Sequence, residues 1–69
     1  MGLDDYKTVL YRQDGVWIAE IPAIPGCYAL MPTREAALAE LRQVFELIAE
    51  EYREAGRELP LDTTEIVSA

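Results

Sequence analysis

The stretch Ile21-Pro22-Ala23-Ile24-Pro25-Gly26-Cys27 holds two of the four prolines, one of the four glycines and the single cysteine of a 69-residue chain. Its reading decides the fold, because one strand-like run enters it and another leaves it. Proline gives no N–H to a ladder and fixes φ, so a central strand cannot pass through Pro22 or Pro25. Pro25-Gly26 carries a type II turn signature, with glycine free to take positive φ at the third position. The stretch therefore reads as a corner, with Cys27 opening a short third strand over 27–31. The competing reading makes Cys27 a chemical site. A reactive thiol needs a lowered pKa, from a helix N-terminus or a cation, and preferably a base beside it. Cys27 lies several residues ahead of the nearest helical pattern, and the chain has no histidine. A half-buried residue at a strand start is the better account.

Upstream of the corner, YKTVLYR (6–12) and VWIAEI (16–21) are rich in β-branched and aromatic residues and flank Gln13-Asp14-Gly15. Asp-Gly between strand-like runs signals a two-residue hairpin loop, because both central positions of a type I′ turn need positive φ. The hairpin then opposes Gln13 to Val16, Tyr11 to Ile18 and Val9 to Glu20, with Lys7 at the rim near Glu20. One face carries Thr8, Leu10, Trp17, Ala19 and Ile21, and the other Val9, Tyr11, Val16 and Ile18. Both are apolar.

Downstream, Thr33 is a good N-cap and Glu35 suits the first turn of a helix. No glycine or proline interrupts the chain from Arg34 to Ala55. At helical spacing Ala37, Leu38, Leu41, Val44, Phe45, Ile48, Tyr52 and Ala55 form one stripe, and Gly56 supplies the stop. Leu47 lies off the stripe, beside a charged face of Glu40, Arg42, Glu46, Glu50, Arg53 and Glu54. Leu59-Pro60-Leu61 reads as an extended connection, and 63–67 (TTEIV) as a fourth strand. The expected architecture is one α+β domain over 1–69, in the order β-β-β-α-β. Its antiparallel sheet of three to four strands carries one long helix on one face.

Size and packing converge on self-association. A core this small supplies only about 3–5 kcal/mol and usually needs a staple. One cysteine makes no internal disulfide, and a chain without histidine lacks the usual zinc ligands. One helix covers one face of the sheet, which leaves Val9, Tyr11, Val16 and Ile18 as the expected interface with another copy or with a partner. An uncovered apolar patch on a small protein marks such an interface.

Thirteen acidic residues against six basic ones give a net charge of −7. That surface repels phosphate backbones, so no direct nucleic-acid binding is expected, and it attracts a basic partner. No apolar run approaches the roughly 20 residues of a membrane span. The start, Met1-Gly2-Leu3-Asp4-Asp5, lacks the basic and apolar regions of a signal peptide. A cytoplasmic protein without membrane contact is expected. For chemistry the chain offers little. The commonest general base is missing, Gly26 stands alone rather than in a phosphate loop, and Glu20 is the only acid within a clear strand. Asp4-Asp5, Glu50-Glu51 and Glu54-Glu58 fit charged surface. The expectation is a non-enzyme with no catalytic, cofactor-binding or metal site.

The order of features resembles the HicB-like antitoxin family. The resemblance spans roughly residues 6–67 and rests on Trp17, Ala19, Glu20, Pro22, Pro25, Gly26, Cys27, Thr33, Glu35, Ala36, Gly56 and Pro60. It implies a partial ribonuclease-H-like fold without nuclease activity, whose members bind and neutralise a small basic mRNA-interferase toxin of the HicA type. Many members add a C-terminal DNA-binding module; this chain has no room for one, so operator binding is not carried over. Met31-Pro32 also replaces the Gly-Asp that the family often has before its threonine. The resemblance makes a toxin-neutralising binding protein the leading expectation. The alternatives are an orphan regulatory or scaffold module binding another protein or a small ligand, and a residual metal-dependent nuclease.

Overall fold

The computed structural model describes residues 2–67. After a short 3₁₀ turn at Leu3–Asp5, three strands follow: β1 (Val9–Gln13), β2 (Val16–Glu20) and β3 (Tyr28–Met31). They form one antiparallel sheet in the order β1-β2-β3, and a single helix, α1 (Arg34–Glu54), comes next. The α+β class, the antiparallel sheet and the one long helix are as the sequence predicts.

The hairpin forms because its loop residues accept what the turn demands. Asp14 and Gly15 take φ of 53° and 80°, the positive pair of a type I′ turn. That turn sets the register, and Gln13 opposes Val16, Tyr11 opposes Ile18 and Val9 opposes Glu20.

The corner is built from two successive turns closed by a third bond. Ile24 N–H donates to Ile21 O at 3.1 Å, and Cys27 N–H donates to Ile24 O at 3.1 Å. Ile21 N–H then donates back to Cys27 O at 2.9 Å. Gly26 sits at φ 78°, as the third position of a type II turn requires. The period of three drives Ile21, Ile24 and Cys27 inward, to 1%, 2% and 2% exposure. Pro22, Pro25 and Gly26 face water. One expectation is corrected here. Cys27 does not open β3, because corner bonds take up both its N–H and its carbonyl, and the strand begins at Tyr28.

The helix starts where its cap is satisfied, with Thr33 Oγ1 accepting from Ala36 N–H at 3.1 Å. It ends in a Schellman motif: Gly56 at φ 69° lets Arg57 N–H reach Tyr52 O at 2.8 Å and Gly56 N–H reach Arg53 O at 3.1 Å. The stripe packs across β2 and β3, burying Ala37, Leu41 and Phe45. Ala55 belongs to the cap rather than the stripe and is exposed. Alanines at positions 19, 29 and 37, with 0%, 4% and 0% exposure, let helix and sheet approach closely. Each fully buried large apolar side chain contributes about 1.5–3 kcal/mol. A domain of this length holds only about 3–10 kcal/mol in total, so no such residue is dispensable.

Beyond Gly56 the chain returns to the start of β1. Leu59 packs against the core, and Tyr6 Oη donates to Pro60 O at 2.6 Å while its ring meets Phe45 at 5.9 Å. Two expectations fail in this segment. Lys7 does not face Glu20: its backbone N–H donates to Asp62 Oδ2 at 2.6 Å, and its ammonium lies 3.9 Å from the same oxygen. Residues 63–67 form no fourth strand, so the observed order is β-β-β-α. The cause is local. Asp62 Oδ1 accepts from Thr64 N–H at 3.0 Å, an Asx turn that gives this N–H a local partner in competition with a ladder.

At Gly26 an added Cβ meets nothing within 4 Å, so substitution there costs backbone strain alone. Gly26→Ala should destabilise by about 1–2 kcal/mol and lower the melting temperature by roughly 5–15 °C. An unchanged thermal melt would show that the corner does not depend on positive φ. Thr33→Ala should cost about 1 kcal/mol in the same measurement, through the lost cap.

Candidate functional site

The residues that offer contact lie on two opposite surfaces. On the sheet face away from α1, the expected set Val9, Tyr11, Val16 and Ile18 falls together. Val9, Val16 and Ile18 are half-buried, while Tyr11 is 40% exposed. The structure adds two residues from β3, Tyr28 at 54% and Leu30 at 51% exposure. Register aligns them: Tyr11, Ile18 and Leu30 form one row across three strands, and Val9, Glu20 and Tyr28 form the next. Glu20 is the only charged side chain among these. The clue to Tyr28 and Leu30 was the alternation in β3, whose Ala29 and Met31 turn toward the core.

The opposite surface is the outer side of α1. The helix carries six glutamates against three arginines, and Glu35, Glu46, Glu50, Glu51 and Glu54 are exposed. Leu47 stands among them at 62% exposure. Near the end of the helix, the Arg57 guanidinium stacks over the Tyr52 ring at 4.8 Å. A shallow groove there is lined by Tyr52, Arg53, Arg57, Leu59 and Leu61, among others.

The residues of the family pattern are scattered through the architecture. Trp17 packs half-buried on the inner face and Ala19 lies in the core. Pro22, Pro25 and Gly26 shape the corner, Thr33 caps α1, Glu35 is exposed in its first turn, and Ala36 supplies the capped N–H. They do not converge on a pocket. Among the described residues no three His, Cys, Asp or Glu side chains are grouped to hold a metal ion. Among the same described residues no helix is long and apolar enough to cross a membrane.

Burial pushes the Cys27 thiol above its usual range. The thiolate is the nucleophilic form, so the surroundings suppress reactivity rather than raise it. Asp62 moves the other way, its carboxyl held below the usual range first by the Lys7 N–H and then by Thr64. Burial raises the Tyr6 hydroxyl, with the Asp5 and Asp62 charges adding to the shift.

Two outcomes follow from these environments. Native Cys27 should react with an alkylating reagent at least 100-fold more slowly than in the unfolded chain, and fast labelling of folded protein would contradict its burial. For Asp62 the folded pKa is lowered, so its contribution is present above its unfolded value and lost as pH falls through the folded one. Protection of the Lys7 amide, read as its exchange rate against the intrinsic rate at each pH, should fall as acidification protonates Asp62. Asp62→Asn should remove most of that pH response; if the variant keeps it, another group is responsible.

Comparison with known proteins returns small chains of matching length. A UPF0150 protein of Thermoplasma acidophilum is 25% identical over 64 residues, which cover 91% of this chain and 93% of the relative. A UPF0150 protein of Synechocystis is 31% identical over 52 residues, covering 74% of this chain and 75% of the relative. No family model matches the chain, and no solved structure matches it. At that identity and coverage, the chain belongs to the UPF0150 family.

Proposed function

We propose that this protein is a non-catalytic, HicB-like antitoxin that self-associates and neutralises a small basic mRNA-interferase toxin. The observation that carries the reading is the separation of charge. The outer helix surface concentrates acidic side chains around the exposed Leu47, while the outer sheet face holds an apolar row beside a single carboxylate, Glu20.

Two copies each carrying −7 repel one another, so they associate at least cost through the surface that bears the least charge. A basic partner gains most from the surface that bears the most. The sheet face then serves self-association, and the helix face serves the toxin. Acidic groups steer the encounter and set its salt dependence, while the apolar residue at the centre of the patch adds burial once contact is made. The order of corner, cap and helix residues, which resembles HicB-like antitoxins, supports the same reading.

The test is co-expression with any small basic protein encoded next to this one. A co-purifying complex and rescue of growth are expected; a toxic neighbour that is neither bound nor neutralised would overturn the proposal. Within such a complex, Glu46→Lys with Glu50→Lys should slow association about tenfold or more. Raising salt from about 0.1 M to about 1 M shortens the screening length from about 10 Å to about 3 Å and should have a similar effect. An association rate indifferent to both would remove electrostatic steering.

A further inference from the structure

The single chain exposes more surface than its mass accounts for. It presents 5031 Å² at 7.8 kDa, where a folded monomer of that mass presents about 4,400 Å². Its radius of gyration, 12.6 Å, likewise exceeds the roughly 11 Å expected for this length. Exposed apolar side chains collect in two places. One is the outer sheet face. The other is the stretch from Leu61 to Val67, in which Leu61, Ile66 and Val67 are 75%, 73% and 82% exposed.

Neither feature makes a stable interface alone. Three strands about 4.8 Å apart and five residues long outline only about 240 Å² of sheet. A specific interface buries about 800 Å² of accessible surface on each partner, and further apolar surface beside the face would add to it. The tail is the available complement. Residues 63–67 include two threonines, an isoleucine and a valine, all good strand formers. Extended, they span about 16 Å, the length of β1. The Asp62 bond to Lys7 N–H delivers them to the β1 side of the sheet, where β1 pairs with β2 alone and its outer edge is open. Within its own chain the segment makes no strand, and the Thr64 N–H is held by Asp62 instead.

We propose that two copies pack outer sheet face to outer sheet face and exchange residues 63–67, each segment adding as a strand to the open β1 edge of the other. An open, largely apolar edge is an aggregation hazard that proteins cover, and strand addition covers it with backbone hydrogen bonds as well as side chains. Neighbouring residues of a strand face opposite sides, so the exchange places one of Ile66 and Val67 beside the apolar row of the other copy and the second on the inner side of the added strand. The inference rests on the sheet face serving self-association, but not on the identity of any toxin.

Light scattering with size-exclusion chromatography on the isolated full chain tests it, so its failure is separate from a failure to bind toxin. The full chain should run at twice the monomer mass at micromolar concentration. Truncation after Asp62, which keeps the contact to Lys7, should weaken the dimer by roughly 100-fold while the helical circular-dichroism signal persists. Ile66→Asp with Val67→Asp should act like the truncation at full length, and Ile18→Glu should break the dimer through the face. Hydrogen exchange should show amides of residues 63–67 protected in the dimer and unprotected on dilution. A monomeric full chain overturns the proposal. So does a dimer untouched by truncation, or protection of residues 63–67 that survives in the monomer.

Discussion

One amphipathic helix has one apolar stripe, and a sheet has two faces. That mismatch governs the molecule. The stripe of α1 covers the inner face of β2 and β3, with Ala19, Ala29 and Ala37 letting the two layers meet closely. Nothing in the described chain is left to cover the other face, although its residues are hardly less apolar. Adding a second helix would solve the problem within one chain, at the cost of more residues. This chain instead leaves Tyr11, Ile18 and Leu30 in an open row.

The corner makes this arrangement precise enough to function. Closing Ile21 N–H on Cys27 O fixes where β3 begins, and therefore which of its residues face the core. A slip of one residue would turn Tyr28 and Leu30 inward and Ala29 outward. The aromatic ring would then occupy the space where helix and sheet now meet through alanines. The same closure buries Cys27 in the core together with Ile21 and Ile24, as an apolar filler. The thiol is part of the packing.

Much of this was legible in the sequence, because the decisive signals were local. Asp14-Gly15 fixed the hairpin register, Pro25-Gly26 the corner, and Thr33 and Gly56 the two ends of the helix; each acts through its own backbone geometry. What escaped prediction depended on contacts between distant parts of the chain. Lys7 is drawn from the Glu20 rim by Asp62, 55 residues away. Tyr6 enters the core because Phe45 and Pro60 meet it there. Tyr28 and Leu30 join the outer face only once the corner has set the phase of β3. The outer sheet face was half visible for the same reason: two of its strands were read from a hairpin, while the third needed the corner.

The tail turns this distinction into an energetic argument. Strand propensity describes how well a residue suits a pleated, half-buried surface rather than an intrinsic preference of its backbone. Thr63, Thr64, Ile66 and Val67 carry that propensity, yet they stay outside the sheet of their own chain. The competing interaction is the carboxylate of Asp62, which offers the Thr64 N–H a charge-assisted hydrogen bond two residues away. A local bond is made at little cost in chain entropy, whereas adding a strand to β1 fixes five more residues at about 1–2 kcal/mol each. Only a surface that returns apolar burial along the whole segment offsets that cost. In the isolated chain such burial is missing, since Ile66 and Val67 would pair at an edge with solvent on both sides. The proposed exchange would supply that side from a second copy.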